Sequence, residues 1–408
     1  MGKVLNFIDL FAGCGGLSLG LVNAGLHGIF AVEKSPDAFA TFQHNLVKGN
    51  TVNQFSWPTW LPCEAMTLSK LLTKYNKRLH ELTGKVDLIA GGPPCQGFSF
   101  AGKRNPKDPR NKLTGEYIKM VEIIRPKYIL LENVKGFKAA FSHKNGKKIY
   151  ADIIKTKLEE LGYIVSSFMI DASTFAVPQS RHRFLMVAYD KNIKYNSDPY
   201  EVLISMAKSF RKNKGLPKTG FVSVSNALSN LQTHEGKYLE NSSENKGYMQ
   251  IKYRRRSNSR YQVLMQSDCP QDYIPNGLRL ARHSKGILER FKTILTDCEK
   301  GKEVPKEKLE EFGTKKFSFT PLHPNKLSRT ITTLPDDLLH YSEPRILTVR
   351  ENARLQSFPD WFEIKGKYTT GGKQRKNDCP KYTQIGNAVP PLLAEALGIL
   401  INKINEAA

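Results

Sequence analysis

The first 190 residues alternate between short hydrophobic runs and amphipathic stretches. The hydrophobic runs are rich in Val, Ile, Leu and Phe, and they predict buried strands. Between them apolar residues recur at helical spacing, as they do on one face of residues 150–161. This alternation is typical of an α/β, doubly wound fold, in which helices cover both faces of a mostly parallel sheet. The predicted strands are Val4–Phe11, His27–Glu33, Lys85–Gly92, Pro126–Val134, Tyr163–Ala172 and Phe184–Asp190.

The pattern changes after Asp190. Residues 191–260 are rich in Asn, Ser, Lys and Gly, with little periodicity. A helix is predicted over about 284–297 and an exposed, charged loop over 299–316. Apolar residues at helical spacing return in a final predicted helix over 391–405.

Composition narrows the class of protein. At 408 residues the chain has room for two domains, and it is 40% hydrophobic, enough for a proper core. No apolar run approaches the roughly 20 residues of a membrane span, and no signal-peptide pattern is present, so we expect no membrane contact and a cytoplasmic location. The cysteines form neither a CxxC pair nor a Cys/His cluster, which predicts no metal site and no disulfide framework. The net charge of +24 indicates a polyanionic partner, nucleic acid first, or else a surface that only keeps the chain soluble.

Cys95 follows a Gly-Gly-Pro-Pro turn in the run Asp87-Leu-Ile-Ala-Gly-Gly-Pro-Pro-Cys-Gln-Gly-Phe-Ser99. The turn places it at the carboxyl end of a predicted strand, where open α/β sheets bind ligands. A thiolate there is a candidate nucleophile. The alternative is a small buried residue after a structural turn.

A second glycine-rich turn lies in Phe7-Ile-Asp-Leu-Phe-Ala-Gly-Cys-Gly-Gly-Leu17, between a predicted strand and a helix. Glu33 ends the next strand about 20 residues on, where such folds hold a ribose through its hydroxyls. The spacing is not GxGxxG, so the turn favours a ribose without a diphosphate, as in S-adenosylmethionine, over a dinucleotide. A purely structural turn is the alternative.

Glu132 ends another predicted strand, and Arg181 and Arg183 lie at the start of a third. A partly desolvated carboxyl at a strand end can hold or donate a proton. Alternation predicts that Gln179, Arg181 and Arg183 share one face, from which guanidinium groups can bind carbonyls, phosphates or a carboxylate. The alternatives are an ordinary capping acid and a solvated edge strand.

Six segments in this order resemble the DNA (cytosine-5) methyltransferases, especially the bacterial restriction–modification type. The resemblance covers roughly residues 1–190 and 320–408. The segments are Asp9-Leu-Phe-Ala-Gly-Cys-Gly-Gly, Gly92-Pro-Pro-Cys-Gln-Gly-Phe-Ser, Glu132-Asn-Val, Gln179-Ser-Arg-His-Arg, Arg350-Glu-Asn-Ala-Arg-Leu-Gln-Ser-Phe-Pro359 and Gln384-Ile-Gly-Asn-Ala-Val-Pro-Pro391.

The resemblance implies an S-adenosylmethionine-dependent methyltransferase that modifies C5 of a cytosine flipped out of duplex DNA. By this resemblance Cys95 adds to C6, Glu132 binds N3 and the exocyclic amine, Arg183 holds O2, and Arg181 steadies the loops of Glu132 and Cys95. Ser99 and Arg110 are implied phosphate contacts on a mobile loop. The segment of Glu64 departs from the family's usual Asp-Ile pattern. The implied cofactor contacts are Phe11, Gly13, Gly15, Glu33, Glu64, Pro94, Leu113, Asn387 and Ala388.

The resemblance also implies how the domains are arranged. Residues 1–190 with 382–408 would form the catalytic and cofactor-binding domain, and residues 191–381 a smaller, irregular DNA-recognition domain. In the latter, Arg254, Arg255, Arg256 and Arg260 are candidate contacts to base edges or phosphates. We expect a monomer that acts on double-stranded DNA and is paired in function with a restriction endonuclease.

Three rival functions remain at the level of sequence. The same chemistry on transfer RNA is the nearest, since one eukaryotic branch of the family uses that substrate. A non-catalytic nucleic-acid-binding module is disfavoured by the presence of Cys95, Glu132, Arg181 and Arg183. A nicotinamide oxidoreductase is disfavoured by the absence of GxGxxG.

Overall fold

The computed structural model describes residues 3–49, 55–94, 111–138, 140–143, 146–314, 318–369 and 378–407. The strands are β1 Asn6–Leu10, β2 His27–Val32, β3 Leu88–Gly91, β4 Tyr128–Val134, β5 Ala140–His143, β6 Gly146–Ile149, β7 Tyr163–Asp171, β8 His182–Asp190, β9 Leu239–Asn241, β10 Met249–Ile251, β11 Thr320–Pro321 and β12 Leu338–Leu339. The α-helices are α1 Gly16–Asn23, α2 Pro36–Phe42, α3 Leu68–Lys74, α4 Asn76–His80, α5 Asn111–Ile124, α6 Tyr150–Glu160, α7 Pro199–Ser205, α8 Ala207–Asn213, α9 Val224–Leu228, α10 Arg260–Gln266, α11 Lys285–Asp297, α12 Lys306–Glu311, α13 Val349–Leu355, α14 Lys381–Asn387 and α15 Pro391–Glu406.

Backbone contacts divide the chain into two compact units. Unit 1 comprises Met1–Ala172, His182–Ala207 and Pro391–Ala408, and unit 2 comprises Ser173–Arg181 and Lys208–Pro390. These boundaries differ from those expected at 190 and 382. Helix α7 remains in unit 1 because it packs on α15 and β7. Residues 173–181 join unit 2 because Gln179 and Ser180 pair with the backbone of Ser328.

Unit 1 is built on a six-stranded sheet in the order β2-β1-β3-β4-β8-β7. The first four strands in this order are parallel, and β8 runs antiparallel to both β4 and β7. The α/β, mostly parallel fold is confirmed. The solvated edge strand considered for residues 179–183 is wrong, because Gln179 and Arg181 are buried and β8, which begins at His182, lies between two strands.

The core of unit 1 follows from the hydrophobic runs. Ile8, Ile89, Ile129 and Phe184 lie on neighbouring strands and pack in one cluster with apolar residues of α3 to α6. The final helix packs on α1 so closely that a Cβ on Gly20 would lie 2.3 Å from that of Ala394. Among the described residues, one helical stretch, Lys381–Glu406, is long and apolar enough to cross a bilayer, but 89% of its most apolar window is buried.

Unit 2 has short strands and helices joined by long irregular segments. The predicted helix over 284–297 is α11, whose Phe291 and Ile294 are buried. The expectation of a loop throughout 299–316 is wrong, because α12 forms there and buries Leu309. The segment 350–360 is held by buried arginines: Arg354 makes a bidentate pair with Asp360, with Nε–Oδ1 and Nη2–Oδ2 distances of 2.9 and 2.7 Å. The motif at residues 350–360 therefore stabilises the fold of unit 2.

Candidate active site

The glycine-rich turn of unit 1 is fixed to the end of the neighbouring strand by Glu33. The backbone N–H of Gly13 donates to Glu33 Oε2 at 3.0 Å, and that of Ser35 donates to Oε1 at 2.7 Å. Phe11 has φ 64°, a left-handed conformation that is costly for a bulky residue, and Gly13 has φ 58°. A strained backbone of this kind is common where a chain is shaped around a ligand.

The Glu33 carboxylate has the chemistry needed to hold a ribose. Each of its oxygens accepts one backbone N–H and keeps a second lone pair for a hydroxyl donor. Burial raises the pKa of Glu33, and the two N–H groups oppose that rise by stabilising the ionised form. A Cβ added at Gly13 would meet nothing within 4 Å, so the turn leaves open space beside this carboxylate. The residues present therefore fit an adenosyl ribose.

The other proposed cofactor contacts of unit 1 are placed as follows. The N–H of Met66 donates to the carbonyl of Glu33 at 2.8 Å, so the chain just after Glu64 runs beside the site. The Glu64 side chain is exposed and bonds Lys70 Nζ at 3.1 Å. Pro94 and Leu113 are partly exposed. Their contacts with a cofactor stay predictions.

Glu132 and Arg183 form an ion pair across two strands of unit 1. Arg183 Nε lies 2.7 Å from Glu132 Oε1, and the two side chains are only 9% and 12% exposed. The pairing of β4 with β8 sets this contact, because Arg183 pairs with Val134, two residues beyond Glu132, where the two strands end. Arg183 Nη1 also donates to the carbonyl of His182 at 2.8 Å, so the guanidinium is held at two points.

Asn133 joins this pair to the turn that precedes Cys95. Its Nδ2 donates to the carbonyl of Pro93 at 3.0 Å, and its Oδ1 accepts from the N–H of Val134 at 2.9 Å. A Cβ placed on Gly92 would lie 3.0 Å from Glu132 Oε2, so the turn passes directly beside the carboxylate. Sequence reasoning assigned Asn133 no role, although it adjoins Glu132 in the motif. Cys95, Ser99 and Arg110 lie outside the described residues.

Asp9 is a second group that sequence reasoning missed. It is fully buried at the foot of the glycine-rich turn and accepts from Ser18 Oγ at 2.6 Å. Burial raises its pKa to about 7, and the hydrogen bond from Ser18 opposes the rise. Within the described part of the chain its Oδ1 has no hydrogen-bond partner. Its position in the first motif was the only available signal.

Comparison with known proteins decides the family. The family model for C-5 cytosine-specific DNA methylases matches residues 5–403. The chain belongs to this family. It is 31% identical to Type II methyltransferase M.DdeI of Desulfomicrobium norvegicum over 96% of this chain and 87% of that protein. It is 29% identical to Type II methyltransferase M.XorII of Xanthomonas oryzae pv. oryzae over 97% and 84% of the two chains.

A solved structure agrees on the fold. A DNA modification methyltransferase encoded within an E. coli prophage matches with a TM-score of 0.65 over 98% of this chain and 99% of that one, at 24% identity. The chain is thus a DNA (cytosine-5)-methyltransferase with the S-adenosylmethionine-dependent methyltransferase fold. Enzymes of this family take their methyl group from S-adenosylmethionine.

Arg181 lies in unit 2 of this methyltransferase, although Arg183 lies in unit 1. The predicted shared strand face for Gln179, Arg181 and Arg183 is wrong, because β8 begins only at His182. Arg181 is buried, and its Nη atoms donate to Gln179 Oε1 and to the carbonyls of Ile331, Gly386 and Ala388. It fixes the segment that carries Asn387 and Ala388, whose cofactor contacts stay predictions.

The proposed recognition arginines differ in their freedom. Arg254 stacks 3.6 Å from the ring centroid of Tyr238 and donates to the carbonyl of Gln232 at 3.4 Å. Arg255 donates to the carbonyl oxygens of Pro270 and Gln266. Arg255, Arg256 and Arg260 are exposed, and Arg254 is partly buried. The contacts of all four with DNA stay predictions.

Proposed function

We propose that this enzyme methylates C5 of a cytosine in duplex DNA through a transient bond between the Cys95 sulfur and C6 of a base flipped out of the helix. The observation that carries the proposal is the Glu132–Arg183 pair, held at 2.7 Å beside the turn that leads to Cys95. Activation of a cytosine ring requires a carboxyl, a guanidinium and a thiolate, and Cys95 follows in the sequence directly after the turn beside the Glu132–Arg183 pair.

The proposed chemistry begins at C6, because cytosine C5 is by itself a weak nucleophile. The Cys95 thiolate adds to C6 while Glu132 holds a proton at N3, and the electron pair of the C5–C6 double bond becomes available at C5. When bound beside Glu33, S-adenosylmethionine would supply the methyl group from its sulfonium centre to C5 and would be left as a neutral thioether. Loss of the C5 proton to water and departure of Cys95 from C6 restore the aromatic ring and the thiolate.

The other described residues of unit 1 orient the reactants in this proposal. Arg183 uses Nε for Glu132 and Nη1 for the His182 carbonyl, which leaves Nη2 for cytosine O2. Asn133 fixes the Pro93 carbonyl and hence the direction from which Cys95 approaches. Glu33 holds the adenosyl ribose beside the Gly13 turn. Unit 2 reads the bases on either side of the target, because a pocket that holds one flipped cytosine makes no contact with their edges.

The covalent step is tested with duplex DNA that carries 5-fluorocytosine at the target position. Fluorine cannot leave as the C5 proton does, so wild-type enzyme should form an adduct that survives denaturing electrophoresis. Cys95→Ser should form none and should lose more than 90% of turnover, because an alcohol is a far weaker nucleophile than a thiolate. Cys298→Ser, at the end of α11, is the matched control and should keep both activities. Normal turnover by Cys95→Ser would overturn the mechanism.

The substrate is tested by offering duplex DNA and transfer RNA to the same preparation. We expect 5-methylcytosine in the DNA alone, since both named relatives are Type II methyltransferases. Methylation confined to transfer RNA would make the rival substrate correct.

We further propose that the enzyme acts as a cytosolic monomer whose methylation protects a site from a partner restriction endonuclease. Bisulfite sequencing of plasmid DNA from cells expressing the chain identifies the site. An endonuclease that cuts this site should then fail on the modified plasmid and cut the plasmid from cells expressing Cys95→Ser. Cleavage of both plasmids would contradict protection.

A further inference from the structure

Arg279 of unit 2 is held between two tyrosine rings, and its side-chain N–H groups make no hydrogen bond within the described residues. The guanidinium carbon of Arg279 lies 3.7 Å from the ring centroid of Tyr368 and 4.2 Å from that of Tyr248. Within the described residues its side chain makes no ion pair, and its Nε is buried without a hydrogen-bond partner. A fixed, planar fork of donors with no internal acceptor is poised to bind an external one.

The surroundings hold Arg279 in place. The backbone of its segment pairs with β10, through bonds of 3.1 Å from Ile251 N–H to the Leu278 carbonyl and 2.9 Å from Leu280 N–H to the Met249 carbonyl. The Tyr368 hydroxyl donates to Glu244 Oε1 at 2.7 Å, which fixes one of the two rings. The adjacent acid cannot neutralise Arg279, because Glu244 is already bonded to Lys381 and to the N–H of Gly277.

Arg279 lines a cavity of about 350 Å³ that also contains an unused acceptor. Asn245 lines the same cavity, and its Oδ1 is buried with no hydrogen-bond partner in the described part of the chain. Leaving a buried polar atom unpaired costs about 1–3 kcal/mol, so this oxygen calls for a partner from outside the chain, such as water, an ion or a ligand. The cavity thus presents a double donor and an acceptor together.

We propose that Arg279 and Asn245 read one G·C base pair of the recognition sequence from the major groove. This inference rests on the proposed function. In that groove guanine presents two acceptors, O6 and N7, beside the N4 amine of cytosine, which is a donor. Arg279 binds the two acceptors and Asn245 Oδ1 accepts from the amine. A phosphate fits less well, because it carries acceptors alone and would leave Asn245 unpaired.

The test begins by sequencing the 5-methylcytosine that wild-type enzyme places in a plasmid, which defines the site. Each guanine of that site is then replaced by inosine or by 7-deazaguanine. Inosine keeps O6 and N7, whereas 7-deazaguanine lacks N7. At one position the wild type should tolerate inosine and lose about 10- to 100-fold in kcat/KM with 7-deazaguanine, the discrimination of a bidentate pair.

Variants assign the effect to the residues. Arg279→Ala should methylate guanine and 7-deazaguanine duplexes equally slowly at that position, and Arg279→Lys should recover less than a tenth of the discrimination, because an ammonium lacks the fork. Asn245→Ala should relax the requirement for the cytosine amine at the same pair. Arg290→Ala, on α11, removes one positive charge elsewhere in unit 2 and should retain full discrimination. An Arg279→Ala enzyme that loses rate equally on every sequence would show a phosphate contact and overturn the inference.

A binding experiment separates this inference from the proposed function. Wild type and Arg279→Ala are used to select duplexes from a random DNA library, with no methyl transfer required. A G·C position enriched by the wild type and lost with Arg279→Ala supports the inference, even if no 5-methylcytosine forms. Enrichment that is the same for both proteins, or absent for the wild type, overturns it.

Discussion

Arg183 Nε lies 2.7 Å from Glu132 Oε1 at the point where two antiparallel strands end, with both side chains nearly buried. A carboxylate with so little solvent depends on its guanidinium for compensation. The pair also orients the carboxyl toward the turn that leads to Cys95. The contact therefore compensates a nearly buried charge and, in the proposed mechanism, also positions the carboxyl for catalysis.

Arg183→Ala should separate these contributions. Removing one partner of a buried pair costs about 3–5 kcal/mol when the other charge remains. We expect a lower melting temperature and a fall in kcat of more than 100-fold. Affinity for the cofactor should not change, because its proposed ligand Glu33 does not contact Arg183. Activity, calorimetry and thermal unfolding measure the three quantities. The control is Arg78→Ala, which breaks an exposed ion pair with Glu81 and should cost less than about 1 kcal/mol of stability. A wild-type kcat in Arg183→Ala would show that the Glu132–Arg183 pair is not part of the active site.

Asn133→Asp should test the tether to Pro93 with minimal change of shape. Aspartate keeps the acceptor for the Val134 N–H but cannot donate to the Pro93 carbonyl. We expect a loss of stability of about 1–3 kcal/mol and a larger relative fall in kcat, because the Pro93 carbonyl loses the donor that fixes it. Comparing kcat with the urea midpoint of unfolding tests this. A fall in stability at full kcat would make the tether structural alone.

Glu33→Gln should weaken cofactor binding by about 1–3 kcal/mol. The amide NH₂ replaces one of the two carboxylate oxygens that accept the N–H groups of Gly13 and Ser35, so two donors would face each other. The raised pKa of Glu33 adds a pH dependence. In the proposed site the ionised form of Glu33 accepts the ribose hydroxyls, so wild-type affinity should fall on acidification at a pH above 4.5, the ordinary pKa of this carboxyl. Calorimetry across pH should show this fall in the wild type, and a flat profile for Glu33→Gln. Parallel profiles would place Glu33 outside the site.

Asp9→Asn should flatten the pH dependence of stability. The pKa of Asp9 is about 7 in the folded protein against an ordinary 3.8, so between these values the folded state keeps a proton that the unfolded chain releases. Its contribution to the free energy of unfolding is therefore full below about pH 3.8 and falls by about 1.4 kcal/mol per unit up to about pH 7. Urea unfolding from pH 4 to 7 should show the wild type losing stability relative to Asp9→Asn. The exposed Asp152→Asn should instead run parallel to the wild type.

The sequence by itself determined the sheet and the positions of its acids. Short apolar runs that are bounded by turn residues favour buried strands, and the six strands of the central sheet were predicted within a few residues of their observed ends. Glu33 and Glu132 were predicted as site residues for the same reason, because a charged residue that ends an apolar run lies at the carboxyl end of a strand. The motifs then indicated the family, and the comparison confirmed it.

Only the tertiary structure decided which neighbours in sequence work together. Arg181 and Arg183 are two residues apart, yet they belong to different units, because Arg181 is captured by carbonyls some 150 to 207 residues further along the chain. Asn133 contacts Pro93, 40 residues away in the sequence, and Arg279 lies between Tyr248 and Tyr368, which are 31 and 89 residues away. The local pattern of hydrophobic and polar residues indicates which face of a helix or strand is apolar. It carries no information on which distant carbonyl or ring will meet a given side chain, and that pairing is fixed only when the whole chain packs.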